Sequence, residues 1–87
     1  MPVVELFGNA RVLAATTTVE VDAASIREAL RALAEQHPCL LGAVVETDGA
    51  PTAAYILNVN GTRFVKDVDE ALAEADHLLL LSSLSGG

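Results

Sequence analysis

The run Tyr55-Ile56-Leu57-Asn58-Val59-Asn60-Gly61-Thr62-Arg63-Phe64-Val65 decides the fold class of this chain. Tyr55, Leu57 and Val59 alternate with Ile56 and Asn58, the period of two that lays one face of a strand on a core. Asn60-Gly61 tolerates positive φ at both positions of a hairpin turn, so Thr62 to Val65 is expected as the return strand. Toward the N-terminus, Val3, Val4, Leu6 and Phe7, ended by Gly8-Asn9, fit an opening strand with Val4 and Leu6 on one face and Val3, Glu5 and Phe7 on the other. After a loop, Thr17, Val19 and Val21 alternate with Thr18, Glu20 and Asp22 and complete a hairpin with it.

Between the hairpins, Ser25-Ile26-Arg27-Glu28 has the form of a capping box and starts a helix. Ile26, Ala29, Leu30, Leu33 and Ala34 form its apolar stripe, Arg27, Glu28, Arg31 and Glu35 face water, and His37-Pro38 ends it. Gly42 to Thr52 reads as an irregular connection with a short strand at Val44-Val45. Asp67 to Glu74 is expected to hold a short helical turn carrying Ala71 and Leu72, and Leu78 to Leu81 the last strand. The order is β-β-α-β-β-β, an α+β fold with a mixed sheet of about five strands on one main helix.

The rest of the composition fits one small domain. Of 87 residues, 52% are hydrophobic and 20% charged, too apolar for disorder. The only aromatics are Phe7, Tyr55 and Phe64, so the core is aliphatic. A formal charge of -7 with no cluster of bases argues against nucleic acid or an anionic membrane and for a protein partner with a basic face. One cysteine, Cys39, forms no internal disulfide, and with two distant histidines it is a poor basis for a metal site. No apolar run is long enough to span a bilayer, and the N-terminus lacks the basic segment of a signal peptide, which points to the cytoplasm.

The last strand is apolar at both parities, which suits a central position covered on two sides. Leu78 and Leu80 can pack under the helix, but no second amphipathic element remains for Leu79 and Leu81. Two covers are open: a partner protein, which an apolar patch rimmed by acids usually marks, or the loop from Gly42 to Thr52.

Enzyme signatures are lacking: there is no phosphate loop, dinucleotide fingerprint, nucleophile elbow or H-E-x-x-H. Cys39 follows a helix C-terminus, whose dipole opposes a thiolate, and is expected to be a buried, inert thiol. His77 reads as a strand-end surface residue, and Asp67, Asp69, Glu70, Glu74 and Asp76 as a solvated rim. What remains is Ser82-Ser83-Leu84-Ser85-Gly86-Gly87, a small-residue tail after a domain spanning residues 1–81. Glycine can pass through a channel too narrow for a side chain, and six residues reach roughly 20 Å, so the tail could carry its α-carboxylate into another enzyme's active site. By itself the dipeptide favours the plainer reading of a frayed terminus.

Asn58-Val59-Asn60-Gly61 before the hairpin, Ala71-Leu72 with Asp76 ahead of a leucine-rich last strand, and the terminal Gly86-Gly87 together resemble the ubiquitin-like sulfur carriers of the MoaD/ThiS family. The chain departs from that pattern at Ala75-Asp76, where the family often has Gly-Asp, at Ser82 and Ser83 in place of prolines, and at Arg63, where some relatives are apolar. The resemblance implies a β-grasp fold and a flexible tail over residues 82–87. It also implies a carrier that is not itself an enzyme, or the small subunit of a synthase if it serves molybdopterin synthesis. The carboxylate of Gly87 would be adenylated with MgATP by a ubiquitin-activating-type adenylyltransferase, converted to a thiocarboxylate by a persulfide sulfur donor, and used by a sulfur-accepting synthase. Gly86, Ser85 and Leu84 would pass through the partner's channel, while Phe7, Leu79 and Leu81 would bind it; no cofactor or metal would sit on the chain itself. A molybdopterin-type acceptor is favoured, with cysteine, thiamin or specialised thiocarboxylate pathways as alternatives. The rival use of the same terminus is conjugation to lysines as a ubiquitin-like modifier.

Overall fold

The Asn60-Gly61 turn has the geometry its residues allow: φ is 59° and 73°, and the Thr62 N–H donates to the Val59 carbonyl at 3.1 Å. It joins β3 (Tyr55–Val59) to β4 (Arg63–Val65), so Thr62 belongs to the turn and not to the return strand. The computed structural model describes residues 1–82. Within them the sheet is completed by β1 (Val3–Leu6), β2 (Thr18–Glu20) and β5 (His77–Ser82), in the order β2-β1-β5-β3-β4. The last strand is central: β5 runs parallel to β1 and antiparallel to β3. This is the expected α+β β-grasp.

One helix covers one face. The helix α2 (Ile26–Gln36) starts at Ser25, whose Oγ accepts from the Glu28 N–H at 3.2 Å. Glu28 reaches back one residue further than a capping box requires, accepting from the Ala24 N–H at 3.0 Å. Two more free N–H groups of its first turn, on Ile26 and Arg27, donate to the carbonyls of Glu70 and Val68. Asp67 to Glu74 therefore does not form the expected helical turn: Ala71 bridges to Ser25, and Leu72 is drawn into the core. The acids there favour side-chain capped turns over a helix, with Asp67 Oδ1 accepting from the Asp69 N–H at 2.9 Å.

Ile26, Ala29, Leu30 and Leu33 of α2 meet Val4, Leu6, Val19, Leu57, Val59, Leu78 and Leu80 of the sheet in one aliphatic core. Fully burying each large aliphatic side chain contributes about 1.5–3 kcal/mol, so this face holds the domain together.

The first connection contains a helix that the sequence pattern does not announce. Gly8 takes φ 61° and ψ -136°, a combination that suits glycine alone, and α1 (Asn9–Ala14) follows with only Ala10 and Ala14 turned inward. After α2, Pro38–Leu40 forms a 3-10 turn that buries Leu40 and turns Cys39 outward. Cys39 is thus exposed, not buried as expected, and its Sγ donates to the Leu13 carbonyl at 3.2 Å.

Gly42 to Thr52 has only isolated bridges, at Leu41–Val45 and Val45–Pro51, in place of the expected short strand. Val44 and Val45 are buried, the Asp48 carbonyl accepts from Arg27 Nη1 at 2.6 Å, and Gly49 lies against Arg27 and Arg31. The loop therefore packs beside α2, on the helix side of the sheet.

Candidate functional site

Strand alternation sends every second side chain of the sheet away from α2. The register lines these up in rows. Leu79 on β5 has Glu5 beside it on β1 and Asn58 on β3; Thr18 and Phe64 continue the row to the two edges. One step along, Leu81 is paired with Ile56. Because Leu6 pairs with Leu80, Phe7 stands level with Leu81, and the two backbones stay close beyond it, a Cβ at Gly8 lying 3.9 Å from that of Ser82.

Phe7, Leu79 and Leu81, separated by more than seventy residues of sequence, are thus brought to one face, where Phe7 is 39% exposed. That face is larger than parity on single strands indicated. Ile56 is 40% exposed and Phe64 66% exposed; both extend the apolar surface toward β4. The signal for Ile56 was present in its outward parity on β3; Phe64 had none, since Tyr55, another of the three aromatics, is buried in the core. Neither could be joined to Leu79 without the strand order.

The polar residues lie mainly on the β1–β2 side. Glu5 and Glu20 point outward there, and His77 Nδ1 stands 3.7 Å from Glu5 Oε2. A shallow hollow lies between Glu5, His77, Leu79 and the Asn60-Gly61 turn.

Four of the five acids read as a solvated rim have structural partners, Asp67 through the Asp69 N–H already described. Asp69 pairs with Arg27 at 2.9 Å, and Glu70 with Arg63 at 2.9 Å. The hydrogen bond from Arg27 and its positive charge hold the Asp69 carboxyl below the usual carboxylate range and raise Arg27 in turn. Asp76 ties the start of β5 to the hairpin. Its Oδ2 accepts from the Ala73 N–H at 2.9 Å and its Oδ1 from Asn60 Nδ2 at 3.0 Å, and these two bonds hold its carboxyl below the usual range. Asn60 Oδ1 accepts from the His77 N–H at 2.8 Å, completing the clamp.

Among the described residues no group of three or more His, Cys, Asp or Glu side chains is placed to hold a metal ion, and no helix is long and apolar enough to cross a membrane. Leu84, Ser85, Gly86 and Gly87, read as the channel-passing and reactive residues, lie outside the described residues.

No family model and no curated protein matches the sequence. Solved structures do. The chain superposes on the crystal structure of small archaeal modifier protein 1 from Haloferax volcanii with a TM-score of 0.83 and 32% identity, covering 99% of this chain and 98% of that one. The solution structure of small archaeal modifier protein 1 from Methanosarcina acetivorans gives 0.83 at 21% identity over 99% and 95% of the two chains. A chain of the Amycolatopsis orientalis BexX/CysO complex gives 0.83 at 18% identity over the whole of both. The last two share the fold. The first, at 32% identity over nearly the full length of both chains, shows the family: the chain belongs to the small ubiquitin-like sulfur carrier and modifier proteins of the MoaD/ThiS type.

Proposed function

We propose that the chain is a sulfur carrier whose working group is the α-carboxylate of Gly87. The observation that supports this most directly is the path of β5. Leu79 and Leu81 lie on the outer apolar face, and the same strand ends at Ser82, five residues before Gly87. A protein that grips this face holds the root of the tail, and residues 83–87 reach at most about 17 Å beyond it.

A carboxylate needs activation before a nucleophile can attack it. A ubiquitin-activating-type adenylyltransferase with MgATP supplies this: a carboxylate oxygen of Gly87 attacks the α-phosphorus, pyrophosphate leaves, and an acyl adenylate forms. The outer sulfur of a persulfide then attacks the acyl carbon and AMP leaves. A thiol cleaves the resulting S–S bond, giving a disulfide and the Gly87 thiocarboxylate. Tethering holds that soft nucleophile beside an acceptor at high effective concentration. ATP binding and acid-base chemistry belong to the partners. For the acceptor we favour a synthase of a sulfur-containing cofactor, of the molybdopterin type; the Gly42 to Thr52 segment speaks against the shorter thiamin branch and suits a cysteine-pathway carrier as well. All of this chemistry suits the cytoplasm.

The modifier reading shares the activation step and is supported by the 32% identity to small archaeal modifier protein 1 from Haloferax volcanii. Intact-mass analysis after incubation with ATP, an activating enzyme and a sulfur donor separates the two. Exchange of oxygen for sulfur at Gly87 adds about sixteen mass units and yields the nucleophile, whereas conjugation yields branched diglycine peptides on lysines. Deleting Gly87 abolishes both products. Full sulfur transfer by the deleted chain would reject the proposal.

A further inference from the structure

The outer face contains one polar group that the fold leaves unused. Asn58 sits at the middle of β3, with Leu79 directly across on β5 and Phe64 directly across on β4. It is only 5% exposed, and its Oδ1 is enclosed with no hydrogen-bond partner. Two residues on, Asn60 differs: both ends of its amide are engaged, with Asp76 and with the His77 N–H. An enclosed, unpaired amide oxygen loses its hydration without return, and an aliphatic side chain of similar size would avoid that loss. The adjacent outward position on β3 has such a side chain, Ile56. Asn58 is therefore a poor choice for the isolated domain and a good one for a complex that supplies the missing donor.

The two side chains that flank it differ in freedom. Leu79 is on the central strand, whereas Phe64 is on a three-residue edge strand and 66% exposed. Of the two neighbours, Phe64 is thus the one a partner could displace. The surroundings also define the occupant. Ile56, Leu79 and Leu81 require an apolar contact, and Glu5, Glu20 and the net charge of -7 require a basic rim.

Resting on the docking reading above, we propose that Asn58 is the polar anchor of the complex with the activating adenylyltransferase: the enzyme turns Phe64 aside and donates an N–H to Asn58 Oδ1. The apolar contacts give adhesion in many orientations. One hydrogen bond completed only in the complex selects the orientation that aims the tail.

The test uses the full chain and an adenylyltransferase that activates it, with ATP–pyrophosphate exchange and the urea midpoint measured for Asn58→Leu and Leu81→Asp. Asn58→Leu is expected to keep or raise the urea midpoint while raising the KM for the carrier about tenfold at unchanged kcat. An unchanged or lowered KM overturns the inference. A lowered midpoint also overturns it, because Asn58 would then serve the fold. If Leu81→Asp raises KM and Asn58→Leu does not, the anchor alone fails. If neither raises it, the docking face fails with it.

Discussion

The two faces of β5 contain the same residue under opposite conditions. Leu78 and Leu80 are fully buried beneath α2, while Leu79 and Leu81, one position along, stay partly exposed beside Glu5 and Ile56. Nothing local distinguishes them; the covering element does. The helix supplies the inner face with a partner from the same chain, and the 42–52 loop, which could have covered the outer face, packs beside α2 instead. Apolar identity thus serves stability on one side and remains available for recognition on the other.

The strongest way to break this contrast is to shorten a leucine on each side. Leu80→Ala should cost about 2–5 kcal/mol of stability, read as a loss of urea midpoint, because it leaves a cavity in a close-packed core. Leu79→Ala should cost about 1 kcal/mol or less. Equal losses would mean that the outer leucines are covered too. Leu81→Asp sharpens the contrast from the functional side. It should raise the carrier KM of the adenylyltransferase by about tenfold or more, with thermal unfolding close to wild type by circular dichroism. Unchanged KM would remove the patch from the docking surface.

The smallest expected effect is on the acid limb of stability. The Asp76 carboxyl is held below its ordinary value by the Ala73 N–H and Asn60. A depressed carboxyl contributes stability that is present above the unfolded-state value, about 3.9, and is lost as pH falls through the folded-state value. Asp76→Asn should therefore show a shallower loss of stability below about pH 4 than wild type. Superimposable acid limbs would separate the clamp at the base of β5 from the electrostatics of the fold.

Most of the architecture was legible because several local signals agreed. The Ser25 cap, the stripe from Ile26 to Leu33, Pro38 as a stop and the Asn60-Gly61 turn each describe one element, and together they specify a helix between two hairpins. The helix α1 was not legible, since six residues with two inward alanines and an exposed Val12 carry no periodic pattern. The exposure of Cys39 was not legible either, since a helix C-terminus speaks against a thiolate but not for burial, and the turn at Pro38 sends Leu40 inward and its neighbour out. The same limit applied at the candidate face. Parity placed Phe7, Leu79 and Leu81, but Ile56 and Phe64 joined them only through strand order, and the enclosed Asn58 amide only through atomic packing.

The strand order also governs when this domain can assemble. Residues 77–82 insert between β1 and β3, and they are the last of the sheet to leave the ribosome. Until then the nascent chain has two half-sheets with no strand to join them, and its long-range pairing waits on β5. A chain truncated before His77 would lack the seam of its own sheet, so synthesis that stops early produces material for proteolysis and not a folded domain.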